Sequence, residues 1–182
     1  MKESKEGKLR KENLLDAVNN EDAAQILKIL HAQDAKMARR IEHVIHEYSS
    51  DIDVGQIAKD IYSSLDRLDV AELSQSSGST PHGYIEPGEM AYEIFAEVVE
   101  PFWARMKKYQ KFAKLKEAKL YCVGILKGIY RYEKESRSQF KDWIGDGVSE
   151  HFYWICEEWK KGCRNSADRK EMKEFIEKNF PF

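Results

Sequence analysis

Apolar residues recur along this chain at steps of three and four, the period of an amphipathic helix. No stretch keeps the alternation of two that a half-buried strand requires. The clearest run lies between Lys114 and Tyr132, where Leu115, Ala118, Cys122, Ile125, Leu126 and Ile129 fall on one helical stripe. That stretch is expected to be the central helix.

Taken in order, the pattern predicts a frayed start over residues 1–7, then a short helix from Lys8 to Val18 through Leu9, Leu14 and Leu15. Asn19 and Asn20 break it. A helix from Glu21 to His31 carries Ile26, Leu27, Ile29 and Leu30. Asp34 is placed to cap the next, Ala35 to Tyr48, with Met37, Ile41, Val44 and Ile45 on one side. An Asp oxygen there can accept from the free amides of the first turn. Asp51 or Asp53 then caps a helix through Val54, Ile57, Ile61, Leu65 and Leu68. Short helices with short connections imply antiparallel neighbours.

Residues 74–87 read Ser-Gln-Ser-Ser-Gly-Ser-Thr-Pro-His-Gly-Tyr-Ile-Glu-Pro and hold half the prolines. This predicts a long loop, of a length often functional or mobile. The helix after it starts with Glu89, Glu93 and Glu97 and ends with Arg105, Lys107, Lys108 and Lys111, an order that suits the helix dipole at both ends. Pro101 inside it predicts a kink or break near Val98 to Glu100. Gly124 and Gly128 each cost roughly 1 kcal/mol against alanine in a helix interior, which is tolerable if another helix approaches closely over that face. Gln139 to Ile144 makes a short helix ending at Gly145-Asp146-Gly147. Ser149 is expected to cap a helix carrying Phe152, Ile155, Cys156 and Trp159, with Gly162 as its stop. Asn165 or Ser166 opens a last one through Met172, Phe175 and Ile176.

Composition supports the helical reading. The 182 residues are 42% hydrophobic with only 4 Pro and 10 Gly, enough apolar content for a sizeable core and too much for disorder. A net charge of −2 does not generate a field that draws nucleic acid. Charge is uneven, however: Glu47 to Glu72 holds seven acids and two bases, net −5, and Arg105 to Lys119 seven bases and one acid, net +6. The basic segment, with Tyr109 and Phe112, is a solvated helix end and turn, a phosphate-binding run, or the counterpart of the acidic segment within the molecule or across a homodimer. Cys122, Cys156 and Cys163 are odd in number, without zinc spacing, and read as small buried hydrophobes of a reducing compartment. Met1 to Lys11 has no apolar segment and no run is long enough to span a bilayer, so a cytoplasmic protein without signal peptide or membrane span is expected.

Ala113-Lys114-Leu115-Lys116-Glu117-Ala118, followed by Tyr121 and Leu126, resembles the turn and second helix of a tetratricopeptide unit. Val18-Asn19-Asn20-Glu21-Asp22-Ala23-Ala24, followed by Leu27 and Leu30, is similar to the inter-helix turn of such arrays. The resemblance covers about 40 residues without a fixed period. It implies a stacked helical scaffold that binds other polypeptides, and it assigns no binding residue.

Candidate chemistry is sparse. His43 and His46 share a helical face and can share a metal, but His-x-x-His-Glu matches neither the zinc-protease nor the di-iron order, so no metal or other cofactor is expected. Arg40 and His46, five residues between them, resemble the Arg-x(4–6)-His pattern of helical ribonucleases of the HEPN type. There the histidine would do acid–base work and the arginine hold the phosphate. In the long loop His82, Tyr84 and Glu86 alternate and are candidates for a small site or peptide groove. Tyr153 and Trp154 lie off the core stripe of their helix: burial on two sides is the expected outcome, and exposure would make them an aromatic partner surface.

The sequence therefore predicts an all-α fold of about eight or nine antiparallel helices stacked as hairpins, a bundle or short repeat-like array, in one domain over residues 8–182. Its leading function is a non-enzymatic scaffold or adaptor that binds another protein or itself, through His82, Tyr84, Glu86, Tyr153 and Trp154. The alternative is a ribonuclease-like enzyme using Arg40 and His46.

Overall fold

A computed structural model describes residues 18–48, 51–80 and 83–181. The expected frayed start and the helix from Lys8 lie, up to residue 17, outside the described residues. Backbone contacts divide the chain into two units, Met1–Ser50 and Asp51–Phe182.

The first unit contains a helical hairpin, α1 (Asn20–Gln33) and α2 (Ala35–Tyr48). Asn19 caps α1, its Oδ1 accepting from the amides of Glu21 and Asp22 at 2.9 Å each. Asp34 caps α2 as expected, accepting from Lys36 and Met37 at 2.7 and 2.8 Å. No residue of α1 is buried, and the expected apolar faces of the pair leave Ile26, Leu27, Ile29, Val44 and Ile45 exposed.

The second unit comprises α3 (Val54–Leu65), α4 (Val70–Ser76), β1 (Gly78–Thr80), β2 (Gly83–Ile85), α5 (Pro87–Lys111), α6 (Leu115–Glu135), α7 (Phe140–Ile144), α8 (Gly147–Gly162) and α9 (Ser166–Asn179). The described residues thus form nine helices, an all-α protein with one small hairpin. No described helix is long and apolar enough to cross a membrane. Asp53 and Asn165 cap α3 and α9 through first-turn amides at 2.9 Å each. Ser149 is not the cap of α8; the helix begins two residues earlier, and its hydroxyl donates back to the Asp146 carbonyl at 2.9 Å.

The central position of α6 follows from its burial. Ala118, Cys122, Ile125, Leu126 and Ile129 are all inside, joined by Tyr121 and Tyr132, and the helix packs on α3, α5 and α8. Gly124 and Gly128 face Ile57 and Ile61 of α3. A Cβ on either would lie 2.7–2.8 Å from the Cβ and Cγ2 atoms of these isoleucines. The two missing side chains are therefore the contact between α6 and α3. Residue numbers rise together along this pair, as Ser136 reaching Asp66 at 2.5 Å confirms, so α3 and α6 run parallel. The hairpin partners α5 and α6 run antiparallel, with Phe95 against Tyr132 and Tyr109 against Tyr121.

The expected long loop and the expected break at Pro101 differ from the structure. The long loop over residues 74–87 is instead the end of α4 plus an antiparallel hairpin, in which Gly78 pairs with Ile85, Ser79 with Tyr84 and Thr80 with Gly83. The glycines supply the backbone this needs, with φ of 95° at Gly78 and 132° at Gly83, and strands of three residues are too short to show an alternating pattern. Pro101 does not break α5, which is one element from Pro87 to Lys111. Burial of Phe95 and Val99 before it and Met106 after it holds one helix across the missing donor. The turn from α5 to α6 closes with the Lys114 amide on the Tyr109 carbonyl and the Ala113 amide on the Gln110 carbonyl. Its left-handed residue is Ala113 (φ 56°) where glycine is usual.

Candidate functional site

The helices α5 and α8 run side by side in the same direction. Tyr92 packs tilted against His151 with centroids 4.2 Å apart and Trp103 against Trp154 at 5.1 Å, Lys107 pairs with Glu158 at 3.1 Å, and Gln110 donates to the Trp159 carbonyl at 2.8 Å. The seam between them opens into two concavities. Carboxylates border the first concavity, and lysines with an arginine the second.

Toward the helix N-termini lies a groove of about 280 Å³, lined by Tyr92, Glu97, Glu100, Trp103, His151 and Trp154. Its walls are aromatic and its rim acidic. Glu97 and Glu100 are exposed and make no ion pair among the described residues. The indole N–H of Trp103 is buried without an acceptor there. His151 is buried between Tyr92 and Phe95, and its Nδ1 bonds the Gly147 carbonyl at 2.8 Å. That bond makes Nδ1 the protonated nitrogen of the neutral ring and leaves Nε2 as the acceptor.

Burial lowers the His151 pKa against the smaller raising effects of the Gly147 carbonyl and Glu150. The folded protein therefore binds fewer protons here than the unfolded chain just below the histidine's ordinary value of about 6.5. Stability contributed by the neutral ring is complete above that value and is lost as pH falls through the folded pKa. Thermal melts are expected to shift down as pH falls below about 6.5. A His151→Phe variant, which keeps a ring against Tyr92 and Phe95, is expected to show a shallower slope in that window. An unchanged slope would show that the drop arises at other groups.

Toward the helix C-termini lies a wider groove of about 690 Å³, lined by Ala104 and by Lys107, Lys108, Lys111, Lys161 and Arg164. Lys107 and Lys161 both bond the buried carboxylate of Glu158, which they hold below its ordinary pKa, Lys161 chiefly. Lys108, Lys111 and Arg164 are exposed and have no ion-pair partner among the described residues.

The residues singled out in the sequence scatter. Trp154, 42% exposed, lines the aromatic groove, whereas Tyr153, 52% exposed, stands outside it beside Phe152. Burial was the expected outcome for both; the core of α8 is instead filled by Val148, Phe152, Ile155 and Trp159, leaving that flank open. His82 lies outside the described residues. Tyr84, on β2, is 63% exposed, and Glu86 is the exposed residue before α5. Arg40 and His43 are exposed on α2, and the side chain of His46 lies outside the described residues. No group of three or more potential ligands is placed to hold a metal among the described residues. All three cysteines are free and buried, and burial pushes the Cys156 thiol up to about 12. The basic segment turns to the C-terminal helices: Lys107 reaches Glu158, and Lys119 reaches Asp168 at 3.6 Å and Glu171 at 2.7 Å.

Sequence reading missed Trp103, His151 and the acidic pair as one site. The available signal was a second stripe on α5, with Tyr92, Ala96, Val99, Glu100 and Trp103 at steps of four, three, one and three, beside the core stripe. No protein family, curated protein or solved structure matches the chain.

Proposed function

We propose that this chain is a non-enzymatic interaction module that binds a protein partner by receiving a lysine or arginine side chain in the aromatic groove between α5 and α8. The observation that carries this reading is the convergence of Tyr92, Trp103 and Trp154 with two carboxylates, Glu97 and Glu100, that have no cation of their own. Aromatic faces attract a cation through the ring quadrupole, by about 0.5–2 kcal/mol depending on desolvation. Carboxylates at the rim add attraction and orient the guanidinium or ammonium donors. A neutral His151 adds no opposing charge.

The test is nuclear magnetic resonance of the indole N–H groups during titration with a Gly-Arg-Gly peptide. The signals of Trp103 and Trp154 are expected to move saturably, and that of the buried Trp159 to stay in place. Glu97→Gln combined with Glu100→Gln is expected to weaken binding about tenfold, equivalent to about 1.4 kcal/mol. Indoles that do not respond in the monomeric chain, or an affinity indifferent to both carboxylates, would overturn the reading.

A further inference from the structure

The acidic and basic ends of the α5–α8 seam lie on one continuous face of α5. Glu97 and Glu100 border the aromatic groove, and Lys108 and Lys111 border the wide one. All four are exposed, and none has an ion partner among the described residues. Their spacing is symmetric about Ala104, which lines the wide groove between them. When two copies of α5 cross antiparallel with Ala104 on the two-fold axis, Glu97 falls opposite Lys111 and Glu100 opposite Lys108.

We infer that the partner of this seam is a second copy of the chain, bound antiparallel across a two-fold axis at Ala104, so that the acidic end of each copy receives the basic end of the other. The inference rests on the reading of the aromatic groove as a cation acceptor, and names its cation as a lysine of the second copy. A two-fold interface is self-complementary, so charge pairing across it needs both signs on one surface at equal distances from the axis. The seam meets that requirement. Its anatomy also fits: Trp103 and Trp154 lie next to the axis, where aromatic anchors concentrate, and the charged residues lie at the two ends, where they fix register. Ala104 lets the two helices approach. A free peptide ligand would need only one end of the seam, and would leave Lys108, Lys111 and Arg164 gathered without a counter-charge.

The deciding experiment is sedimentation of the full-length chain with charge-reversed variants. Wild type is expected to sediment as a dimer, with dissociation strengthened by salt. Glu97→Lys/Glu100→Lys makes both ends basic, and Lys108→Glu/Lys111→Glu makes both ends acidic. Each variant alone is expected to dissociate about 100-fold more readily. An equimolar mixture of the two is expected to return to within about tenfold of wild type as a heterodimer. All four positions are exposed, so helical circular dichroism should be unchanged and serves as the folding control. A monomeric wild type, single variants that remain dimeric, or a mixture that stays monomeric would each overturn the inference. The Lys108→Glu/Lys111→Glu variant keeps its aromatic groove intact and open. Titrating it with the Gly-Arg-Gly peptide therefore separates the two ideas: peptide binding with a monomeric wild type removes the dimer alone, and no peptide binding removes the groove as a cation site.

Discussion

Gly128→Ala is expected to destabilise the second unit by about 3 kcal/mol, lowering the melting temperature by about 10 °C. Helix propensity alone predicts the opposite sign, a gain of roughly 1 kcal/mol. The contact decides: the new Cβ would lie 2.7 Å from the Ile61 Cβ and 2.9 Å from the Ala58 carbonyl oxygen. Both atoms are fixed by the α3 backbone, so no rotamer change relieves them and the helices must separate. Trimming the neighbour therefore does not help. An Ile61→Ala/Gly128→Ala double variant keeps the offending Cβ, loses a fully buried side chain, and is expected to be less stable than either single variant. Recovery in the double variant would show that side-chain crowding, not main-chain approach, sets the α3–α6 distance. Thermal melts of the three proteins measure it.

Trp159→Ala is expected to cost about 4 kcal/mol, within the range for removing a buried indole. Trp159 is 2% exposed and borders a cavity of about 160 Å³ shared with Gln110, Ala118, Gly162 and Cys163. Removing the ring joins its volume to that cavity, a space the surrounding helices cannot close because Gln110 is already tied to the Trp159 carbonyl at 2.8 Å. Denaturant titration should show a lower midpoint with an unchanged slope, since the native surface hardly changes. Trp159→Phe, which refills most of the volume, should lose no more than about half as much.

The helical class, the central stripe of α6 and the caps at Asp34, Asp53 and Asn165 were readable because each depends on residues within a few positions of one another. So was the close approach at Gly124 and Gly128, since two costly glycines four apart on an apolar helix imply a neighbour over them. The candidate site was not. Trp154 stood out as an aromatic off the core stripe, but its partner Trp103 is 51 residues away in the chain, and His151 carried no distinguishing pattern. Nor does local charge order show that Lys107 and Lys119 pair with acids of α8 and α9.

The sequence by itself determined the period of its apolar residues, and with it the helices, most of their ends and the core stripe of α6. It also determined the order of charge along α5, acids first and bases last. Only the tertiary structure decided that α8 lies parallel to α5. That choice places aromatic rings and unpaired carboxylates at one end of a shared seam and unpaired cations at the other. Helix formation and capping depend on neighbours in the chain, whereas the direction and pairing of packed helices depend on contacts between residues tens of positions apart, which local periodicity does not encode.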